Sequence, residues 1–408
     1  MDVKTYGLVT AAYWGFTLTD GALRMLVLFY FHGLGFAPVS LAFLFLLYEF
    51  CGVITNLAGG WIGSRFGLRI TLFSGLAIQI VALLLLSFVD ASWENWTVVS
   101  FVMFAQALSG IAKDLTKMSS KSAVKLVVNT DKNHSALFKW VAILTGSKNA
   151  LKGVGFLLGG VMLSQLGFVS SLRMMAVALF AILLASLVSL KDLGQSKKKV
   201  PFRSLFSKSR EINLLSVARF FLFGSRDVWF VVGLPVFLKE ALGWSFGEIG
   251  GYLAIWVIGY GIVQATVPKF FRDSGDPQRV GRGAQVWCFL LFVLTFGLSV
   301  VLELKINPAA SAITGLILFG IVFAINSSVH SFLILAYTDA DKVALNVGFY
   351  YMANASGRLV GTLLSGVMYL LAGFTGCIWT STIMLGLAFG TTLGLPTAKK
   401  QTIGSPAS

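Results

Sequence analysis

Long apolar runs recur from one end of this chain to the other, each able to cross a bilayer core of about 30 Å as a helix of about 20 residues. They lie near 7–31, 38–62, 69–89, 97–117, 138–161, 173–190, 213–237, 247–268, 284–303, 310–336, 343–371 and 377–395. With 56% hydrophobic residues, 12% charged residues and a mean hydropathy of +0.82, the chain is too apolar for a soluble globular protein. The expected fold class is an all-α polytopic membrane protein with twelve transmembrane helices. The first run follows no basic region and precedes no small-residue cleavage site, so it is read as a retained helix. Cys51, Cys288 and Cys377 stand inside apolar runs in no metal-binding or CxxC spacing. They predict no disulfide framework and no metal site, and no cofactor is expected.

The net charge of +15 would suggest nucleic acid in a soluble protein; in a membrane protein it reports topology first. Loops after even-numbered runs hold Arg65 and Arg69; Lys121, Lys125 and Lys132; Lys191, Lys197, Lys198, Lys199, Arg203, Lys208 and Arg210; Lys269, Arg272, Arg279 and Arg282; and Lys342. The opposite loops hold Arg173, Lys239 and Lys305. Both termini and the central polar stretch are therefore expected on the cytoplasmic side. The expected organisation is a six-helix half at 1–190, a linker at 191–212, a second half at 213–396 and a tail at 397–408.

The halves repeat. Lys152 to Met162 reads KGVGFLLGGVM and Arg358 to Met368 reads RLVGTLLSGVM, an offset of 206, and each is followed by a Gly-Phe pair, Gly167-Phe168 and Gly373-Phe374. Leu34 to Glu49 resembles Leu242 to Val257 at an offset of 208. Two six-helix halves in a parallel repeat resemble the major facilitator superfamily, whose substrate site lies between the halves near the bilayer midplane. Gly60 to Arg69, GWIGSRFGLR, resembles that superfamily's signature after helix 2, with Ser64 where the usual residue is Asp. That departure puts in doubt the charge relay drawn around the aspartate.

The spans hold eight cations, Arg24, Lys113, Lys117, Lys148, Lys152, Arg219, Arg226 and Arg358, against four anions, Asp20, Glu49, Asp114 and Asp227. A carrier of cations would show the opposite balance, so the cavity is read as built for an anion. Lys148 and Lys152 stand one turn apart with no acid within a turn, although a lysine in hydrocarbon costs roughly 2.5–3.5 kcal/mol on insertion scales. Arg226 and Asp227, adjacent on one helix, point about 100° apart and are not expected to satisfy each other. Arginine's planar fork suits bidentate binding of phosphate, carboxylate or arsenate, so Arg24, Arg226 and Arg358 are read as clamps and Lys148 and Lys152 as counter-charges.

Plainer readings stand beside these. Asp20 and Arg24, at i,i+4, can neutralise each other. Lys113 and Lys117 either form a funnel for anions or snorkel to the interface, with Asp114 as a partner for Lys117 at i,i+3. Asn326, with Ser327, Ser328 and His330, either lines the cavity or glues helices. Asp20, Glu49, Asp114 and Asp227 are candidates for proton coupling, and a buried arginine partner explains Glu49 equally well. His32 is read as an interface residue, and the pairs Gly155/Gly159 and Gly357/Gly361 as close packing.

Thr19 to Leu68, TDGALRMLVLFYFHGLGFAPVSLAFLFLLYEFCGVITNLAGGWIGSRFGL, with Ala112 to Val127, AKDLTKMSSKSAVKLV, is similar to the ArsJ-type organoarsenical efflux permeases of bacterial arsenic-resistance operons. The resemblance implies export of 1-arseno-3-phosphoglycerate from the cytoplasm across the inner membrane. It also implies a functional pairing with the glyceraldehyde-3-phosphate dehydrogenase that makes this unstable ester from arsenate. Composition and spacing alone give a small polyanion. A two-ended substrate calls for two cationic clusters, for which Arg24 with Lys148 and Lys152, and Arg226 with Arg358, are assigned. The competing readings are an organophosphate or carboxylate carrier or exchanger and, more remotely, a membrane scaffold or receptor. No Ser/His/Asp, HExxH or paired-carboxylate arrangement appears in the spans, so an enzyme is not expected. The partners expected are the small anion and the bilayer, with no nucleic acid, and the carrier is expected to act as a monomer.

Overall fold

The structure, a computed structural model, describes residues 3–90, 92–127, 134–190, 209–270, 277–337 and 343–396. Among these the regular elements are helices: α1 Val3–Gly33, α2 Pro38–Leu86, α3 Asn95–Val127, α4 His134–Leu166, α5 Phe168–Ser189, α6 Arg210–Phe230, α7 Gly233–Glu240, α8 Phe246–Phe270, α9 Pro277–Glu303, α10 Pro308–Ala336 and α11 Val343–Thr392. Nine spans among the described residues are long and apolar enough to cross a membrane. Helices α1 and α4, of 31 and 33 residues, carry the charges Asp20 with Arg24 and Lys148 with Lys152. Large apolar side chains such as Phe88, Val177, Val188 and Ile255 lie exposed on the outside, where a bilayer would cover them. The chain is an all-α polytopic membrane protein.

The twelve expected spans map onto these elements with three differences. The first concerns α2, which is helical from Pro38 to Leu86 yet contains two spans, Pro38–Ala58 and Arg69–Leu86. Tyr48 packs on Gly110 and Thr55 bonds Asp114, so the first span runs parallel to α3. Thr71 meets Ser119 and Gly75 meets Ala112, so the second runs the other way. The chain therefore reverses between them, as predicted. Side chains 59–68, including Arg65 and Ser64 of the signature, lie outside the described residues.

The second difference is a helix broken in two. The expected span 213–237 divides into α6 and α7 at Val231-Val232 because Pro235 lacks the N–H that would bond the carbonyl of Val231. The freed N–H groups of Val232 and Gly233 donate to Ser365 Oγ at 3.2 and 3.0 Å. The third is α11, which holds two spans joined at a kink, Ala372 at φ −143° and Gly373 at φ 60°. Of the basic loops, 128–133, 191–208, 271–276 and 338–342 lie outside the described residues, as does the tail 397–408.

The internal repeat is visible in the backbone. Gly167 and Gly373, the two Gly-Phe positions, both have positive φ, 75° and 60°, which ends one helix and starts the next where a side chain would be strained. Gly35 and Gly243, related by the second repeat, have φ 86° and 69°. The helix crossings repeat too: Gly155 of α4 meets Leu18 and Gly21 of α1, and Gly361 of α11 meets Gly224 and Asp227 of α6, every residue displaced by 206. A Cβ on Gly155 would lie 2.5 Å from the Leu18 carbonyl, and one on Gly361 2.6 Å from that of Gly224. Without a hydrophobic drive between helices in lipid, such backbone contact supplies the packing energy. Gly155→Leu is expected to cost about 1–3 kcal/mol or more and to lower the midpoint of thermal unfolding in detergent. An unchanged midpoint would show that the crossing is not close-packed.

Between the repeats, α4 packs along α8 and α2 along α11. Asn149 Nδ2 donates to Gln264 Oε1 at 3.2 Å, Phe29 stacks on Phe246 with centroids 4.7 Å apart, and Gly366 closes on Pro38 and Ala42. These contacts bring α1, α2, α6 and α11 around one buried centre.

Candidate functional site

At that centre the side chains of Glu49, Arg358 and Asp227 join the two repeats. Glu49 reaches it because α2 starts at Pro38, a residue suited to a first helical turn, and runs three turns inward. Its carboxylate is buried. Arg24 Nη2 of α1 and Arg358 Nη2 of α11 both donate to Glu49 Oε1, at 2.8 and 2.6 Å. Glu49 Oε2 has no hydrogen-bond partner among the described residues. Arg358 Nε donates to Asp227 Oδ2 of α6 at 3.0 Å, and Arg226 Nε donates to Asp227 Oδ1 at 2.6 Å, with Arg226 Nη2 on the same oxygen. A continuous chain, Arg24–Glu49–Arg358–Asp227–Arg226, thus crosses α1, α2, α11 and α6.

A second group lies against it. Tyr48, next to Glu49, donates its hydroxyl to Asp20 Oδ1 at 2.6 Å, and Lys152 Nζ of α4 stands 3.9 Å from Asp20 Oδ2. Lys113 Nζ of α3 sits 3.9 Å from the centroid of the Tyr48 ring, a cation–π contact. Asp20, Leu23, Arg24, Phe45, Tyr48 and Gln106 line a narrow crevice beside these groups that leaves no room for a substrate. The cluster is contracted, its arginines occupied by the protein's own carboxylates.

Several predicted relations change. Asp20 and Arg24 do not neutralise each other; Asp20 faces Tyr48 and Lys152, and Arg24 faces Glu49. Arg226 and Asp227, expected to diverge, are paired, because a long guanidinium side chain curls back across the 100° between adjacent Cβ directions. Lys113 and Lys117 separate. Lys117 Nζ donates to Asn56 Oδ1 at 2.8 Å and to Asp114 Oδ1 at 3.4 Å, while Thr55 Oγ1 donates to Asp114 Oδ2 at 2.6 Å. Asp114 and Lys117 therefore tie α2 to α3. Lys148 is partly buried one turn before Lys152 on α4. The side chains of Lys121 and Lys125 lie outside the described residues.

Asn326 is buried among helices, its Nδ2 donating to the carbonyls of Trp287 at 2.8 Å and Val322 at 3.1 Å. Ser327 Oγ accepts from Tyr260 and Gln264 at 3.1 and 3.2 Å, and Ser328 Oγ donates to the Gln264 carbonyl at 2.9 Å, the helix-joining arrangement among the two readings. His32 Nε2 lies 3.9 Å from Glu240 Oε1, linking the ends of α1 and α7. Tyr48 and Gln106 escaped the sequence reading: aromatic and amide side chains within apolar helices give no charge signal.

Among the described residues, five cations (Arg24, Lys113, Lys152, Arg226, Arg358) surround three carboxylates (Asp20, Glu49, Asp227). Buried charge of one sign in excess marks a path for the opposite sign.

Comparison with known proteins agrees with this architecture. No curated protein sequence matches the chain. Two solved structures of POT-family transporters are similar in fold: one in complex with a thioalcohol-conjugated peptide (TM-score 0.74, 13% identity) and one with 5-aminolevulinic acid (TM-score 0.73, 14% identity), each match covering 94% of both chains. At that identity the likeness is one of fold. The family model described as Major Facilitator Superfamily matches residues 9–329, most of the chain. With apolar helices and an internal repeat meeting at a buried charged centre, the chain belongs to the Major Facilitator Superfamily and has the fold of a secondary transporter.

Proposed function

We propose that this transporter exports a small organic polyanion from the bacterial cytoplasm by alternating access, 1-arseno-3-phosphoglycerate being the substrate that best fits both the site and the sequence resemblance. The observation that carries the reading is Arg358, whose guanidinium holds a carboxylate of each repeat, Glu49 and Asp227, within a cluster of excess positive charge. Oxyanions of phosphate or arsenate compete with those carboxylates for the same planar donors. Substrate entry would then break the Glu49–Arg358 link between residues 1–190 and 213–396 and free them to rock about the centre.

With both termini and the linker on the cytoplasmic side, outward movement of an anion is favoured by an inside-negative potential, about 2.3 kcal/mol per charge per 100 mV. Breakdown of the arsenate ester outside keeps the outward gradient steep, so no coupling ion is required. Proton coupling through Asp20 or Glu49 is the competing scheme: flux abolished by an uncoupler at clamped voltage would favour it.

The ligands of the two structural neighbours, a peptide conjugate and an amino acid, give a second reading in which Asp20, Glu49 or Asp227 receives an ammonium group. Each of these carboxylates already has a cation beside it, which favours the anion.

The test expresses the chain in an arsenate-sensitive host with and without a co-expressed glyceraldehyde-3-phosphate dehydrogenase and measures cellular arsenic. Accumulation is expected to fall only with the dehydrogenase present, and to recover on Lys152→Ala. Accumulation unchanged in a well-expressed strain would remove arsenic and leave an organophosphate or carboxylate carrier.

A further inference from the structure

The central cluster leaves one buried arginine unused. Arg219 stands seven residues before Arg226 on α6, which returns it to within about 20° of the same helix face, about 10 Å nearer the Arg210 end. It is 4% exposed and has no carboxylate within ion-pair distance among the described residues. Nη1 donates to the Ser327 carbonyl at 3.2 Å, and Nε has no hydrogen-bond partner among the described residues. The guanidinium lies 3.9 Å from the centroid of Phe223 and 5.1 Å from that of Tyr350. Phe223 also lies 5.1 Å from the Arg226 guanidinium, so one ring contacts both cations. On α10, three residues after the Ser327 carbonyl that Arg219 bonds, His330 is fully buried, and neither of its ring nitrogens has a hydrogen-bond partner among the described residues.

A packing role does not account for this arrangement. A guanidinium removed from water without an anion is costly, and a histidine with both nitrogens unbonded adds a second unsatisfied group. Asp114 shows what a structural polar group looks like in this protein, with Thr55, Asn56 and Lys117 all bonded to it. Arg219 and His330 have donors and no anionic acceptor.

We propose that Arg219, with His330 on the helix it bonds, is a second anion-binding position that takes one oxyanion end of the substrate while Arg226 and Arg358 take the other. This deepens the anion-carrier reading and rests on it. The ligand class is a short chain with a phosphate or arsenate at one end and a second anionic group at the other. Because the Phe223 ring lies 3.9 and 5.1 Å from the two guanidinium groups, these stand no more than about 9 Å apart, and six bonds of about 1.5 Å in a zigzag spread the outermost oxygens of 3-phosphoglycerate over roughly 7–8 Å, so its two ends reach both arginines. A single oxyanion is too short to engage both positions at once.

The experiment measures binding to the purified full chain in detergent by calorimetry, with 3-phosphoglycerate as the two-ended probe and inorganic phosphate as the one-ended probe. Arg219→Gln is expected to weaken 3-phosphoglycerate by about tenfold or more, from the loss of charge-assisted hydrogen bonds, and to weaken phosphate clearly less. Arg219→Lys keeps the charge without the fork and should fall between. His330→Gln should weaken 3-phosphoglycerate selectively and provides the answer if Arg219→Gln does not fold. Equal affinity of these variants and the wild type for 3-phosphoglycerate, or parallel losses for both probes, would overturn the second position while leaving the carrier reading intact. A wild-type protein that binds neither probe would overturn the carrier reading and this inference with it.

Discussion

Arg358→Ala is expected to abolish transport and to destabilise the protein more than any other single change at the site. The substitution strips a partner from Glu49 and from Asp227 together, and both carboxylates are buried. Removing one partner of a buried ion pair costs about 3–5 kcal/mol because the remaining charge is left uncompensated. Substrate affinity should fall about 30-fold or more, the usual consequence of truncating one partner of a buried charge contact. Arg358→Lys should keep most of the fold, since a single ammonium still compensates one carboxylate, yet recover little transport, because a point charge cannot serve both acids and an oxyanion. Thermal unfolding and uptake measured on the same preparations separate the two effects. Arg358→Ala with wild-type uptake would remove the cluster from the transport path.

Glu49→Gln should produce the opposite pattern in binding. Glu49 Oε1 accepts from Arg24 and Arg358 at once and so competes with any incoming anion. Neutralising it leaves Arg24 without an internal anion and Arg358 with Asp227 alone, and an anionic substrate gains what the carboxylate gave up. Affinity is expected to rise about tenfold, while turnover falls because the empty carrier has lost the contact that draws its repeats back together. A lower KM with a lower kcat is the signature. A raised KM would mean that Glu49 contacts the substrate itself and would favour a ligand carrying a positive group.

Much of the architecture was legible because apolar length and repetition are properties of the chain itself. The 206-residue offset between Lys152 and Arg358 returns as identical crossings at Gly155 and Gly361 and as left-handed turns at Gly167 and Gly373. The break before α7 was also within reach, since Pro235 announces it, but a continuous hydrophobic run concealed the proline. The site was legible in its charge balance and not in its pairings. Which acid meets which base depends on helix rotation and on the reach of arginine, so Arg24 found Glu49 across 25 residues in preference to Asp20 one turn away. Arg219 could be read as an intramembrane cation from sequence, but its lack of a carboxylate is a property of the folded packing around it.

The central claim is that the cluster at Arg24, Glu49, Arg358 and Asp227 accepts an organic anion in place of its internal carboxylates. Its most direct test is uptake of labelled 3-phosphoglycerate into proteoliposomes holding the purified protein, with the membrane potential set by a potassium gradient. Saturable uptake that follows the sign of the potential, is competed by inorganic arsenate and phosphate, and disappears in Arg358→Ala is the predicted result. Uptake of 5-aminolevulinic acid or a small peptide, with none of 3-phosphoglycerate at any potential, would contradict it.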